Sequence, residues 1–262
     1  MKDNPFQLRE KSVLLCGPVT SITASTAFLL AEMGANIALV TDQPDKAARI
    51  AQELANRQEI DAKAGRLHAI NFKLDAKNVS ASVKEAISLT AEALGAVDIY
   101  VDTSLKFPLV ENNPDLFSEL LKKRHEEDFL LAVGFGQALS QAFERRRKGR
   151  IIYLIPDLAT FPAIDRPALI SRWSLQYYTD ALSTQLEKHE STANCVSIGI
   201  NEEYLLSRFA GQSLHEAEKS FQKTFPSAKL CDTHRVNNNI AKTIAFLASP
   251  LGAGVSGQVM KV

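Results

Sequence analysis

Seven short runs rich in β-branched and aliphatic residues alternate with longer stretches of helical period, and few folds accommodate that alternation. The runs fall at Ser12–Cys16, Asn36–Thr41, 68–74, 97–102, 150–155, 194–199 and 257–262. Strands separated by helices are joined by crossovers, which set neighbouring strands parallel and cover both faces of the sheet. The expected fold class is therefore α/β: three layers, doubly wound, around a seven-stranded parallel sheet. Between the first two runs, Phe28, Leu29, Ala31, Glu32 and Met33 lead into Gly34, which predicts a helix closed by a C-terminal glycine. Segments 45–57 and Val79–Leu94 repeat the pattern. Segment 114–147 carries apolar residues at helical spacing, broken by the charged stretch from Lys122 to Asp128, and predicts two helices or one bent helix. Segment 202–225 reads as an amphipathic insertion whose Leu214, Ala217, Phe221 and Phe225 share one face. A last helix is expected over 232–247.

With 262 residues, 45% hydrophobic content and no linker-like tract, the chain is expected to form one domain over 1–262. Lys plus Arg (30) balance Asp plus Glu (30), so no long-range field recruits nucleic acid or an anionic membrane, and zero net charge favours self-association. The basic run from Arg145 to Arg150 fits a helix end, where cations complement the dipole. Cys16, Cys195 and Cys231 are widely spaced and read as reduced thiols, hence a cytoplasmic location. No apolar run approaches the ~18 residues of a membrane span. The five histidines form no metal-ligand pair, and no metal is expected. A literal G-x-G-x-x-G at Gly252–Gly257 precedes a strand instead of following one, which marks it as a turn.

The first strand enters its helix through Cys16-Gly17-Pro18-Val19-Thr20-Ser21-Ile22-Thr23. A dinucleotide pyrophosphate sits at such a turn because backbone N–H groups and the positive helix end face it, and glycines let the backbone approach. Only Gly17 is present here, while Ser21 and Thr23 place a Cβ and a hydroxyl where that approach would occur. Asp42 ends the second strand and Asp75 follows the third. The order of elements, with Gly34-Ala35-Asn36-Ile37, Val97-Asp98-Ile99-Tyr100-Val101, Gly149-Arg150-Ile151-Ile152 and Ala245-Phe-Leu-Ala-Ser249 followed by Ser256-Gly257-Gln258-Val259, resembles the short-chain dehydrogenase/reductase family, most nearly its 3-oxoacyl-acyl-carrier-protein reductase branch. The resemblance spans essentially the whole chain and implies a Rossmann-type domain. It also implies remnant cofactor-binding positions at Gly17, Asp42 and Asp75.

At the family's chemical positions the sequence departs. The Thr-Gly-x-x-x-Gly-x-Gly turn keeps one matching glycine, and Asn-Asn-Ala-Gly becomes Asp102-Thr103-Ser104-Leu105. The serine position falls on Ile155 or Pro156, and Tyr-x-x-x-Lys falls on Ala168-Leu-Ile-Ser-Arg172; no lysine in the chain has a tyrosine four residues before it. Alanine cannot supply the proton that hydride transfer to a carbonyl requires. The resulting expectation is a non-catalytic binding or scaffolding protein with no catalytic residue and no cofactor, assembled as a homodimer or homotetramer, without nucleic acid or membrane partners but with room for an unidentified protein or small-molecule ligand. Trp173, Tyr177 and Tyr178 are the expected interface aromatics. The alternative is a divergent NAD(P)-dependent oxidoreductase reducing a carbonyl such as a 3-oxoacyl substrate, with Arg172, Tyr153 and Asp128 as the polar groups near its site.

Overall fold

Seven parallel strands in the order β3-β2-β1-β4-β5-β6-β7 form the central sheet. The structure, a computed structural model, describes residues 6–58, 65–107, 114–228, 230 and 233–262, so the Cys231 reading lies outside it. The strands are β1 (Ser12–Cys16), β2 (Asn36–Thr41), β3 (Leu67–Asn71), β4 (Ile99–Asp102), β5 (Gly149–Pro156), β6 (Ser191–Ile198) and β7 (Val259–Lys261). The expected doubly wound α/β sheet is thus the observed one. The third, fourth and seventh strands are shorter than their hydrophobic runs, because residues such as Phe72 and Val97 continue the apolar pattern by packing beyond the last ladder pair.

Side chains alternate across the sheet, as strand geometry demands. Val13, Leu15, Ile99, Val101, Ile152 and Leu154 face one side, under α1 (Ser21–Glu32), α2 (Pro44–Gln58) and α10 (Thr233–Ala248). Leu14, Cys16, Tyr100, Ile151, Tyr153 and Ile155 face the other, under α3 (Val79–Leu94), α5 (Leu131–Arg146) and α7 (Leu175–Leu186). Helix α1 starts where the Thr20 hydroxyl accepts from the Thr23 amide, and stops at Gly34, whose φ of 94° only glycine adopts freely.

The 114–147 stretch resolves into α4 (Pro114–Arg124) and α5, joined by a π-helical turn over His125–Leu130. The bent-helix expectation is close, and the charged interruption is the π turn itself. The insertion is α8 (Glu202–Arg208) and α9 (Leu214–Thr224). Its predicted apolar face turns inward: Ala217 and Phe221 are fully buried, and Phe221 lies edge-on to Tyr204 at 6.0 Å. Helix α6 (Arg166–Trp173) follows β5. The Gly252–Gly257 segment is a 3-10 turn leading into β7, as its context predicts. Among the described residues no helix is long and apolar enough to cross a membrane.

Leu15 sits fully buried in the strand flanked on both sides by others. Leu15→Ala is expected to cost about 2–5 kcal/mol of unfolding free energy, read from the urea midpoint; a loss under about 1 kcal/mol would mean the sheet centre is not packed as described.

Candidate active site

The strand order reverses between β1 and β4, and in open parallel sheets the crevice beyond the strand carboxyl ends at that point is where ligands bind. A cavity of about 540 Å³ lies there. Gly17, Asp42 and Asp75, from the ends of three different strands, all line it, joined by Gln43, Lys73, Lys77, Tyr100, Asp102 and Asp128. The resemblance implied those first three as remnant cofactor-binding positions, and the fold sets all three around one cavity.

The turn itself is tighter than a glycine count suggests. Gly17 has φ of 148°, and a Cβ there would stand 2.7 Å from Thr103 Oγ1 and 2.8 Å from the Thr103 carbonyl carbon, so β4's exit excludes any side chain. Thr23, expected to obstruct the approach of a pyrophosphate, points away from it. Its hydroxyl is buried, donating to the Pro18 carbonyl at 2.7 Å and pairing with Thr103 Oγ1 at 3.0 Å. The turn amides are satisfied from within the chain: Val19 N–H donates to Gln43 Oε1 (3.0 Å) and Ser21 N–H to Glu203 Oε1 (3.3 Å), while the Ser21 hydroxyl donates to Glu202 Oε2 (3.0 Å). These two glutamates on α8 were missed at the sequence level. An acidic pair opening a helix reads as ordinary dipole complementation, and its reach to α1 is a tertiary fact.

Below the cavity lies a buried ion pair. Arg172 of α6 and Asp102 at the end of β4 are each about 1% exposed. Arg172 Nη1 donates to Asp102 Oδ2 and Nη2 lies beside Oδ1, both at 3.0 Å, the bidentate geometry that suits a guanidinium. Its other donors reach the carbonyls of Leu154 (2.7 Å), Asp128 (3.1 Å) and Asp102 (3.3 Å) and the Ser104 hydroxyl (3.2 Å). Burial alone would lower the guanidinium's pKa, but the Asp102 carboxylate more than offsets that and raises it. The two exchanges that looked independent in sequence, an amide for Asp102 and a lysine for Arg172, are one interaction.

Of the three polar groups placed near the site by sequence, only Asp128 lines the cavity. Arg172 is consumed as described, and Tyr153 is fully buried with its hydroxyl donating to the Ala132 carbonyl at 3.1 Å. Asp128 sits in the π turn, a geometry that re-aims side chains. Its Oδ1 has no hydrogen-bond partner, and Arg124 Nη1 stands 3.6 Å away. Burial pushes its carboxyl up to about 6, against the opposing fields of Arg124, Arg172 and Lys106. Tyr100 also reaches the cavity, its phenol held well above the usual range, chiefly by burial. Tyr204, on α8, is buried away from this cavity and donates to Asp165 Oδ2 at 2.7 Å.

With this geometry in view, the comparison with known proteins is direct. A family model described as enoyl-(acyl carrier protein) reductase matches residues 17–262. The chain belongs to the short-chain dehydrogenase/reductase family. A 2,3-dihydro-2,3-dihydroxybenzoate dehydrogenase from Bacillus subtilis (strain 168) is 24% identical over 94% of this chain and 92% of its own. Among solved structures, a dehydrogenase/reductase from Sinorhizobium meliloti 1021 superposes with a TM-score of 0.76 at 22% identity, over 98% of this chain and 95% of that one. A gluconate 5-dehydrogenase from Burkholderia cenocepacia J2315, in complex with NADP and tartrate, does so at 0.74 and 20%, over 98% and 95%. Two expectations are corrected by these findings. The non-catalytic scaffold and the absence of a cofactor were inferred from missing motif residues, whereas an oxidoreductase family model matches through the whole site region and a cavity lies at the strand switch point.

The pair's removal should be asymmetric. Arg172→Ala leaves a buried carboxylate without its partner and is expected to cost about 3–5 kcal/mol, while Asp102→Asn with Arg172→Met together should recover most of that loss. Equal losses in the single and double variants, measured by chemical unfolding, would show that the pair is not coupled.

Proposed function

We propose that this member of the family is an NAD(P)-dependent oxidoreductase that reduces a carbonyl, such as that of a 3-oxoacyl compound. The observation that carries the reading is the cavity at the strand switch point, with acidic residues at its nucleotide end and a protonatable carboxyl further along it. Its volume is in the usual range for small-molecule sites. The dehydrogenase relatives, one of them solved with NADP, support the same assignment.

The residues present fit the adenosine half of the coenzyme. Asp42 closes β2, where a carboxylate accepts from ribose hydroxyls and repels a 2′-phosphate, which favours NADH over NADPH. When bound, the reduced nicotinamide supplies a hydride. Everything else must come from the chain. Reduction of a carbonyl leaves an alkoxide that needs a proton, and Asp128 is the cavity carboxyl that burial keeps protonated below about pH 6. It gives up its proton to the substrate oxygen and is re-protonated from solvent. The Arg172 bond to the Asp128 carbonyl holds the π turn, and so the carboxyl, in place. Arg172 is a positioning residue.

Exposed Ile170 and Tyr177, with Trp173 edge-on to Tyr177 at 5.7 Å, support assembly of identical subunits through α6 and α7.

Calorimetric titration tests the reading. NADH is expected to bind with a Kd between about 1 μM and 1 mM, more tightly than NADPH, and Asp42→Ala should narrow that preference. Failure of both nucleotides to bind at millimolar concentration would overturn it. In carbonyl reduction, Asp128→Asn should lower kcat by about 10²–10⁴. The wild-type rate should fall as pH rises through about 6, because the raised pKa means the acid form is lost there, and the variant should lack that limb.

A further inference from the structure

We propose that Glu203, assisted by Glu202, is a specificity-determining latch: from α8 it holds the amide end of α1, so that a ligand carrying a diphosphate must displace it while an uncharged nucleoside need not. The inference rests on the dinucleotide reading of the crevice and concerns which part of such a ligand the chain resists.

The amide end of a helix carries partial positive charge and unpaired N–H groups, and an anion there is stabilised. In this chain the anion is internal. The Glu203 carboxylate accepts from the Ser21 amide at 3.3 Å and the neighbouring Glu202 from the Ser21 hydroxyl at 3.0 Å, one on the backbone and one on the side chain of the same residue. Thr20 takes the Thr23 amide and Gln43 the Val19 amide, so a diphosphate has to exchange with side chains to gain these donors. Two carboxylates side by side would also repel it. Around Glu203, Lys46 of α2 acts in the opposite direction to Glu202, and burial pushes its carboxyl above the usual range. The adenosine wall of Asp42 and Asp75 follows β2 and β3, with Asp42 next to Gln43, and neither glutamate lines the cavity.

Helix α8 is anchored for the role. The Asn201 side chain caps it by accepting from the Tyr204 amide at 3.0 Å, and Tyr204 is buried against Phe161 and Phe221. Release of the glutamates therefore needs only rotation of their side chains.

The test compares adenosine, ADP and NADH by calorimetry in the wild-type protein, in Glu203→Gln and in Glu202→Gln with Glu203→Gln. The glutamines keep side-chain length and an acceptor oxygen but remove the charge, and thermal melting confirms that the variants fold. ADP and NADH are expected to bind at least about tenfold more tightly to Glu203→Gln, and more tightly again to the double variant, with adenosine unchanged within about twofold. Adenosine binding with no gain for ADP in either variant overturns the latch and leaves the crevice reading standing. Failure of all three ligands in every protein overturns both.

Discussion

A single buried contact, the bidentate pair between Arg172 and Asp102, fixes the relation between β4, β5, α6 and the π turn. Two charges removed from water are tolerable only when geometry and further hydrogen bonds compensate, and here the guanidinium also reaches three carbonyls and a hydroxyl. The cost of leaving either partner alone means that the floor of the crevice does not relax into alternatives. What lies above that floor is accordingly well placed: the Asp128 carboxyl on one side and the glycine turn on the other.

The pair also explains why missing motif residues misled. This chain couples Asp102 and Arg172, taking the positive charge out of the cavity and covering it. Under the proposed reading the proton comes from a carboxyl whose affinity for it is raised by burial, a different route from a tyrosine tuned by a lysine. Sequence reasoning placed Asp128 near the site but not its burial in a π turn, since it belongs to a charged stretch that reads as an interruption of the helical pattern.

Much of the architecture was readable from residue order. The alternation of short apolar runs with helical segments gave seven parallel strands, and Gly34 marked the end of α1 where its positive φ requires glycine. The remnant positions Gly17, Asp42 and Asp75 share one cavity because each follows a strand carboxyl end, which topology alone dictates. The rest depended on distance in space. Thr23 looked obstructive because sequence does not say which way a hydroxyl turns, and it turns inward to Pro18 and Thr103. Glu202 and Glu203 meet Ser21 across some 180 residues, a contact no local pattern encodes.

The account as a whole stands on the crevice between β1 and β4 being a dinucleotide site, and the most direct measurement is a crystal structure grown with NADH. The account predicts adenine between Asp42 and Asp75, the diphosphate on the Ser21 amide with Glu203 swung away, and the nicotinamide facing Asp128 above an unbroken Arg172–Asp102 pair. Nucleotide ordered elsewhere on the protein, or an empty crevice with Glu203 still on Ser21 at saturating NADH, would contradict it.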